Sequence, residues 1–314
     1  MRCGLFTDAL AHFSLQEMIT WCRTRGILDL EFGVGGYSPA PHLDAAALLN
    51  DHARLRAFVR GLEAEGCSIS ALNASGNPLH PDPATSSAHD AALRQALRLA
   101  SALGVSRVVA MSGCPGSPRG GEWPVFAAGA WLPDMEGLWQ WQWEQRIAPY
   151  WRELAGWAER EAPGVVLCFE LHPGMSIYNP ASFQLLQSVA GASIQVNFDP
   201  SHFWWQGIDP VRVTSELGAS IGFAHGKDTR MNAARIEYNG VLDFAWPERP
   251  PDELPWHFAA VGAGHTLDEW SRLTSALTAS GYDGVISIEH EDPNLTPEQG
   301  IEASLTALLQ VIEG

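Results

Sequence analysis

Four stretches of this chain end in groups that apolar runs seldom carry. VVLCFELHP brings Glu170 and His172, and SIQVNFDPSH brings Asp199 and His202. IGFAHGKD brings His225, Lys227 and Asp228, and VISIEHED brings Glu289, His290, Glu291 and Asp292. Each follows a run of the kind that forms a buried strand. A buried carboxylate is costly unless a donor or counter-charge compensates it. One such case could be a capped turn, but four successive cases have the composition of a divalent-cation site. Three carboxylates and one neutral histidine suit an oxygen-rich octahedral ion, Mn²⁺ first, with Mg²⁺, Co²⁺ or Zn²⁺ as alternatives. Four protein ligands leave two positions for water or for two adjacent substrate oxygens. Taken singly, Glu170 could be a salt-bridged strand end, His172 a turn residue and His225 a satisfied polar side chain. His290 is expected to point away from the others, because strand neighbours alternate. Glu291 and Asp292 read as a helix-start and loop charge pair.

These groups can meet only if the runs lie side by side. The runs are CGLFT (3–7), ILDLEF (27–32), SISALN (68–73), RVVAMS (107–112), VVLCFE (165–170), SIQVNF (193–198), IGFAH (221–225) and VISIEH (285–290). Nearly continuous hydrophobicity suits parallel strands buried on both faces. Helical patterns separate them, such as SLQEMITWCRTRG with Ser14 as N-cap and Gly26 at the end. DAAALLNDHARLRAFVRGLEAEG reads as one helix, and MEGLWQWQWEQRIAPYWRELAGWAERE as a long helix broken near Pro149. Eight alternating units predict an α/β fold, a (β/α)₈ TIM barrel forming a single domain over 1–314, with an open doubly wound sheet as the alternative. Two strand-to-helix excursions are long, 112–136 after strand four and 226–264 after strand seven, and are candidate walls or lids. Within the second, Asn239-Gly240 predicts a tight hairpin.

Composition bounds the partners. The 314 residues are 46% hydrophobic, enough for a large core, with 19 Lys plus Arg against 36 Asp plus Glu and a net charge of −17. That surface disfavours nucleic acid and anionic lipid. Five cysteines with no C-x-x-C pair predict reduced thiols and a cytoplasmic protein. MRCGLFTDAL lacks a signal-peptide pattern, and no run is long enough to span a membrane. Several of the 13 tryptophans cluster, as in WQWQW (139–143) and Trp204-Trp205; most fill core, and some could face the apolar side of a sugar.

The order E-x-H, D-P-x-H, H-x-K-D and I-E-H-E-D resembles the xylose-isomerase-like barrel superfamily, and most closely its sugar phosphate isomerase/epimerase type. The resemblance runs from GLFTD through SGNPLHP (75–81) to the last strand. It implies a metal site like that of the ketose 3-epimerases, with Glu170, Asp199, His225 and Glu289 as ligands. The two glutamates would also exchange the substrate proton. It further implies a substrate or supporting role for His202 and a substrate-facing SGNPLHP loop offering Asn77 and His80; His172 and Lys227, read from the residues themselves, are further candidates for contacts around the substrate. Those epimerases carry an arginine six residues past the metal histidine; here position 231 is Met, and Arg230 stands five past.

The expected activity is therefore metal-dependent isomerisation or epimerisation of a keto-sugar or related carbohydrate, through an enediolate bound to the metal. A second reading keeps the site but expels a β-substituent, as in lyases or dehydratases acting on 3-keto-glycosides, with a partner subunit. An apurinic endonuclease would need extra metal-binding histidines where strand four ends in MSG, and its DNA substrate is opposed by the charge. A non-catalytic sugar-binding barrel would be expected to lose one of the two glutamates. A small carbohydrate as substrate and a homo-oligomer complete the expectations.

Overall fold

In the computed structural model, which describes residues 1–128, 133–243 and 248–313, the apolar runs become parallel strands. The strands are β1 (Arg2–Phe6), β2 (Asp29–Gly33), β3 (Ser68–Asn73), β4 (Arg107–Met111), β5 (Val166–Glu170), β6 (Ile194–Phe198), β7 (Ile221–Gly226), β8 (Asp228–Met231), β9 (Trp256–Ala259) and β10 (Val285–Ile288). Eight of them close a barrel in the order β1-β10-β7-β6-β5-β4-β3-β2, the closed α/β architecture that the alternation predicts. The two others, β8 and β9, form a separate antiparallel ribbon.

Strand alternation sorts the side chains. Ala71, Val109, Cys168, Phe223 and Val285 form their own buried cluster in the barrel interior. Two residues further along the same strands stand Asn73, Glu170 and His225, all buried. Inward parity thus carries an apolar plug in the middle of the barrel and polar groups at its C-terminal end, where barrel sites are built. The opposite parity packs against the helices: Phe169 meets the edge of Trp151 at 4.6 Å between ring centres, and both are fully buried. Each such side chain contributes about 1.5–3 kcal/mol by leaving water.

Local chemistry sets the helix boundaries. Asp51 splits the second helical pattern into Ala45–Asn50 and His52–Ala64, because its carboxylate accepts from the N–H groups of Ala53 and Arg54. The long tryptophan-rich helix runs from Pro133 to Glu161 with a π-turn at Trp143–Ile147, immediately before Pro149. Proline there lacks the N–H that a continuous α-ladder needs.

The hairpin at Asn239-Gly240 does not form. Ala233–Asn239 is a helix, and Gly240 follows its last residue with φ +76, a left-handed conformation open to glycine. The ribbon instead pairs Asp228–Met231 with Trp256–Ala259. Residues 129–132 and 244–247 of the two long excursions lie outside the described residues.

Candidate metal centre

β5, β6, β7 and β10 deliver Glu170, Asp199, His225 and Glu289 to one place. One ligand atom from each lies within 4.8 Å of those from the other three. Glu170, Asp199 and His225 are buried, and the Glu289 side chain keeps 15% exposure. Asp199 is indeed a cap: its Oδ1 accepts from Ser201 N at 2.9 Å and starts the short helix Pro200–Trp204. Its Oδ2 is buried and receives no well-aligned hydrogen bond. One carboxylate therefore caps the turn with one oxygen and offers the other to the cluster.

His225 is oriented from behind. Its Nε2 lies 3.1 and 3.3 Å from the two oxygens of Glu31, a fully buried residue of β2 that also accepts from Asn73 Nδ2 at 2.8 Å. Donation from Nε2 to Glu31 turns Nδ1 toward Glu289 Oε2, 3.1 Å away, and Glu170 Oε2, 3.7 Å away. Carboxylate, imidazole and ligand position in line is how metal-binding histidines are held.

The electrostatics show what such a set demands. Burial, reinforced by the charge of Glu289, pushes the Glu170 carboxyl up to about 7. Burial pulls the His225 imidazole down, but Glu31 and Glu289 outweigh it and hold it well above its ordinary value. Burial also works against Lys227, yet Asp199, Glu289 and Glu291 keep its ammonium charged. Its Nζ lies 3.1 Å from Asp199 Oδ2 and 3.2 Å from Glu291 Oε2, and bonds Glu289 Oε2. Three carboxylates, two of them buried, one imidazole presenting Nδ1 and one oxygen without a hydrogen bond fit an oxygen-preferring divalent ion.

The other expected residues fall into three groups. His202 belongs to the cluster: its Nε2 lies 2.7 Å from Glu170 Oε1, its Nδ1 is buried without a partner, and burial lowers it to about 4, a neutral imidazole. His172 packs against it with ring centres 4.2 Å apart, spends Nδ1 on the Pro173 carbonyl and is likewise lowered by burial to about 4. Asn77 serves as a clamp instead. Its Oδ1 accepts from Leu79 N and Cys114 N, and its Nδ2 donates to Cys114 O, tying the loops after β3 and β4 together. With 1% exposure it is poorly placed to meet a substrate. His80 spends Nδ1 on Asp82 N.

Arg230 is turned away from the centre. In the ribbon it stands opposite His257, while Thr229 stands opposite Phe258. Directly opposed residues share a face, and successive residues alternate. Phe258 and Thr229 face the centre: the Phe258 ring is 5.4 Å from that of His202, and Thr229 bonds Ser201 O. Arg230 therefore lies on the other face and is held by the Ala263 carbonyl. One residue of offset from position 231 reverses the side on which a guanidinium emerges.

Glu31, Asn73 and Glu291 escaped the sequence reading. Asn73 carried the same signal as the other site residues, a polar group ending an apolar run on strand three, whereas Glu31 lies inside strand two and is followed by Phe32 and Gly33. Glu291 is no simple loop charge, since it bonds Lys227. His290 does point away, packing its ring against Gly300, where a Cβ would come within 2.1 Å of it. Glu31→Gln keeps the shape but weakens the hold on His225, so affinity for a divalent metal ion is expected to fall about 10- to 100-fold. Isothermal titration checks this, and unchanged affinity would remove Glu31 from the support of the site.

Residues 30–311 match the model of a family described as xylose isomerase-like TIM barrel. The chain is 35% identical over 315 residues to the uncharacterized protein YfiH of Bacillus subtilis (strain 168), covering 99% of each. Among solved structures, the probable 3-DHS dehydratase AsbF of Bacillus anthracis, involved in petrobactin synthesis, superposes with a TM-score of 0.66 at 16% identity, over 98% of this chain and 99% of that one. An L-ribulose 3-epimerase superposes at 0.64 and 16% identity, over 99% and 94%. At these identities the structural likeness is one of fold.

Proposed function

Because this chain belongs to the xylose isomerase-like TIM barrel family, we propose that it is a divalent-metal-dependent carbohydrate enzyme that isomerises or epimerises a keto-sugar by moving a proton beside the carbonyl. One observation carries the reading: Glu170 and Glu289 approach the same nitrogen of His225, at 3.7 and 3.1 Å. Two carboxylates thus border one cation position, each able to hold a proton. A bound ion, Mn²⁺ in the first instance, would act as a Lewis acid on the substrate carbonyl.

The chain's own residues supply the rest. One glutamate takes the proton from the carbon next to the carbonyl, leaving an enediolate. The other returns a proton to the opposite face, which inverts the centre, or to the neighbouring carbon, which moves the carbonyl. His202 fixes Glu170 through its 2.7 Å contact. Elimination from the same enediolate is the second reading, since proton removal beside a carbonyl also labilises a β-substituent and a dehydratase shares the barrel. A panel of keto-sugars and 3-keto-glycosides assayed with Mn²⁺ tests both; no Mn²⁺-dependent turnover of any member would overturn them.

The substrate is expected to be uncharged. The protein carries −17, Lys227 is held by three carboxylates, and Arg230 faces away. A free sugar should exceed its phosphate in kcat/KM by at least about tenfold, the scale of one lost charge-assisted hydrogen bond. A clear preference for the phosphate would contradict this.

A further inference from the structure

A cavity of about 300 Å³ opens beside the metal centre, and its chemistry differs from that of the centre. Leu254, Pro255, Trp256, Phe258 and Pro293 form most of its wall, and Asp243, His257 and Glu291 are its ionisable lining residues. Two of these residues touch the centre itself: the Lys227 ammonium lies 4.7 Å above the Phe258 ring and 3.2 Å from Glu291 Oε2. The cavity is therefore one side chain away from Asp199 and Glu289. No arginine or lysine lines it among the described residues.

Its aromatic wall is fixed in place. Trp256 stacks on Trp205 with ring centres 4.5 Å apart and planes 9° apart, and its Nε1 donates to the Val241 carbonyl. Phe258 meets Trp256 at 5.5 Å. A flat ring held on one side by another ring and by its own N–H loses little freedom when a ligand covers what remains. Such a surface favours an apolar, preferably planar group over a phosphate or carboxylate.

We propose that this cavity is a binding subsite for an uncharged apolar substituent of the carbohydrate, such as an aryl or alkyl group joined to the sugar that reacts at the centre. The proposal rests on reading the centre as a metal-dependent carbohydrate site, and it adds what the sugar carries. A sugar at Glu170 and Glu289 would extend past Lys227 and Phe258, and its substituent would lie on Trp256. The two carboxylates of the wall, Asp243 and Glu291, disfavour a phosphate in that position.

The test compares 4-nitrophenyl and methyl D-glucopyranosides, both anomers, by isothermal titration against the full chain loaded with Mn²⁺. At least one nitrophenyl glycoside should bind the wild type about tenfold more tightly than its methyl counterpart. Trp256→Ala should reduce that advantage to within about twofold without changing Mn²⁺ affinity, and Trp256→Phe should retain most of it. Thermal unfolding of both variants confirms that they are folded. Equal affinity for aryl and methyl glycosides, an advantage that survives Trp256→Ala, tighter binding of glucose 6-phosphate than of the methyl glycosides, or no binding of any glycoside would each overturn the subsite. Failure of the wild type to hold Mn²⁺ would instead overturn the reading of the centre, and the aryl preference, measured again without the ion, would still decide the subsite.

Discussion

Glu170→Gln and Glu289→Gln are each expected to lower kcat by about 10²- to 10⁴-fold while some substrate binding persists. Glutamine keeps the shape and one ligand oxygen of each side chain but can neither take nor return a proton. The two carboxylates reach His225 Nδ1 from separate strand ends, those of β5 and β10, and the proposed inversion of a centre assigns one to each face. A single base could remove a proton from one face but could not deliver one to the other. Turnover in D₂O should place deuterium in the product at the carbon beside the carbonyl. Full retention of the original hydrogen would point to a hydride shift or to a transfer shielded from solvent. Wild-type turnover in either variant would remove that glutamate from the chemistry.

His225→Ala and Asp199→Ala should reduce bound Mn²⁺ from near-stoichiometric to a small fraction, as measured by metal analysis after gel filtration. Near-stoichiometric metal in both variants would sink the assignment. Asp199→Ala also removes the cap on Pro200–Trp204, worth about 1 kcal/mol. Asp199→Asn separates the two effects, since an amide oxygen still accepts from Ser201 N but the ligand charge is gone. The site also predicts a pH dependence. Burial and Glu289 raise the Glu170 carboxyl to about 7, so the metal-free protein holds a proton there at pH 6 that the unfolded chain releases. That contribution to stability is lost as pH rises through about 7, and an ion must displace the same proton below it. Mn²⁺ affinity, and the rise in Tm that Mn²⁺ produces, should therefore be larger at pH 8 than at pH 6. A smaller gain at pH 8 would contradict the assignment.

The local pattern of the chain was enough to place most of the centre. Glu170 and His225 lie on the inward parity of strands whose apolar character is plain, and Asp199 and Glu289 immediately follow two more. Parallel strands with helical crossovers place all their C-terminal ends on one rim, so convergence follows from chain order alone. The same logic would have found Asn73, which ends β3, but not Glu31, which lies within β2 ahead of Phe32 and Gly33.

Other features depend on packing between distant segments. Glu31 stands behind His225 because barrel closure sets β2 three places from β7 in the ring, a neighbour that no local spacing encodes. Asn77 becomes a clamp because Cys114, far along the chain, presents both its N–H and its carbonyl to it. Asn239-Gly240 closes a helix rather than a hairpin because Trp256–Ala259 supplies Asp228–Met231 with its partner strand. That pairing also turns Arg230 outward and brings Phe258 to the centre, with Trp256 beside it. The sequence by itself determined which residues stand at the ends of buried strands, because side-chain direction along a strand is a local property with a period of two. Only the tertiary structure decided which of them face one another, because barrel closure and ribbon pairing join segments whose positions the chain's local pattern leaves open.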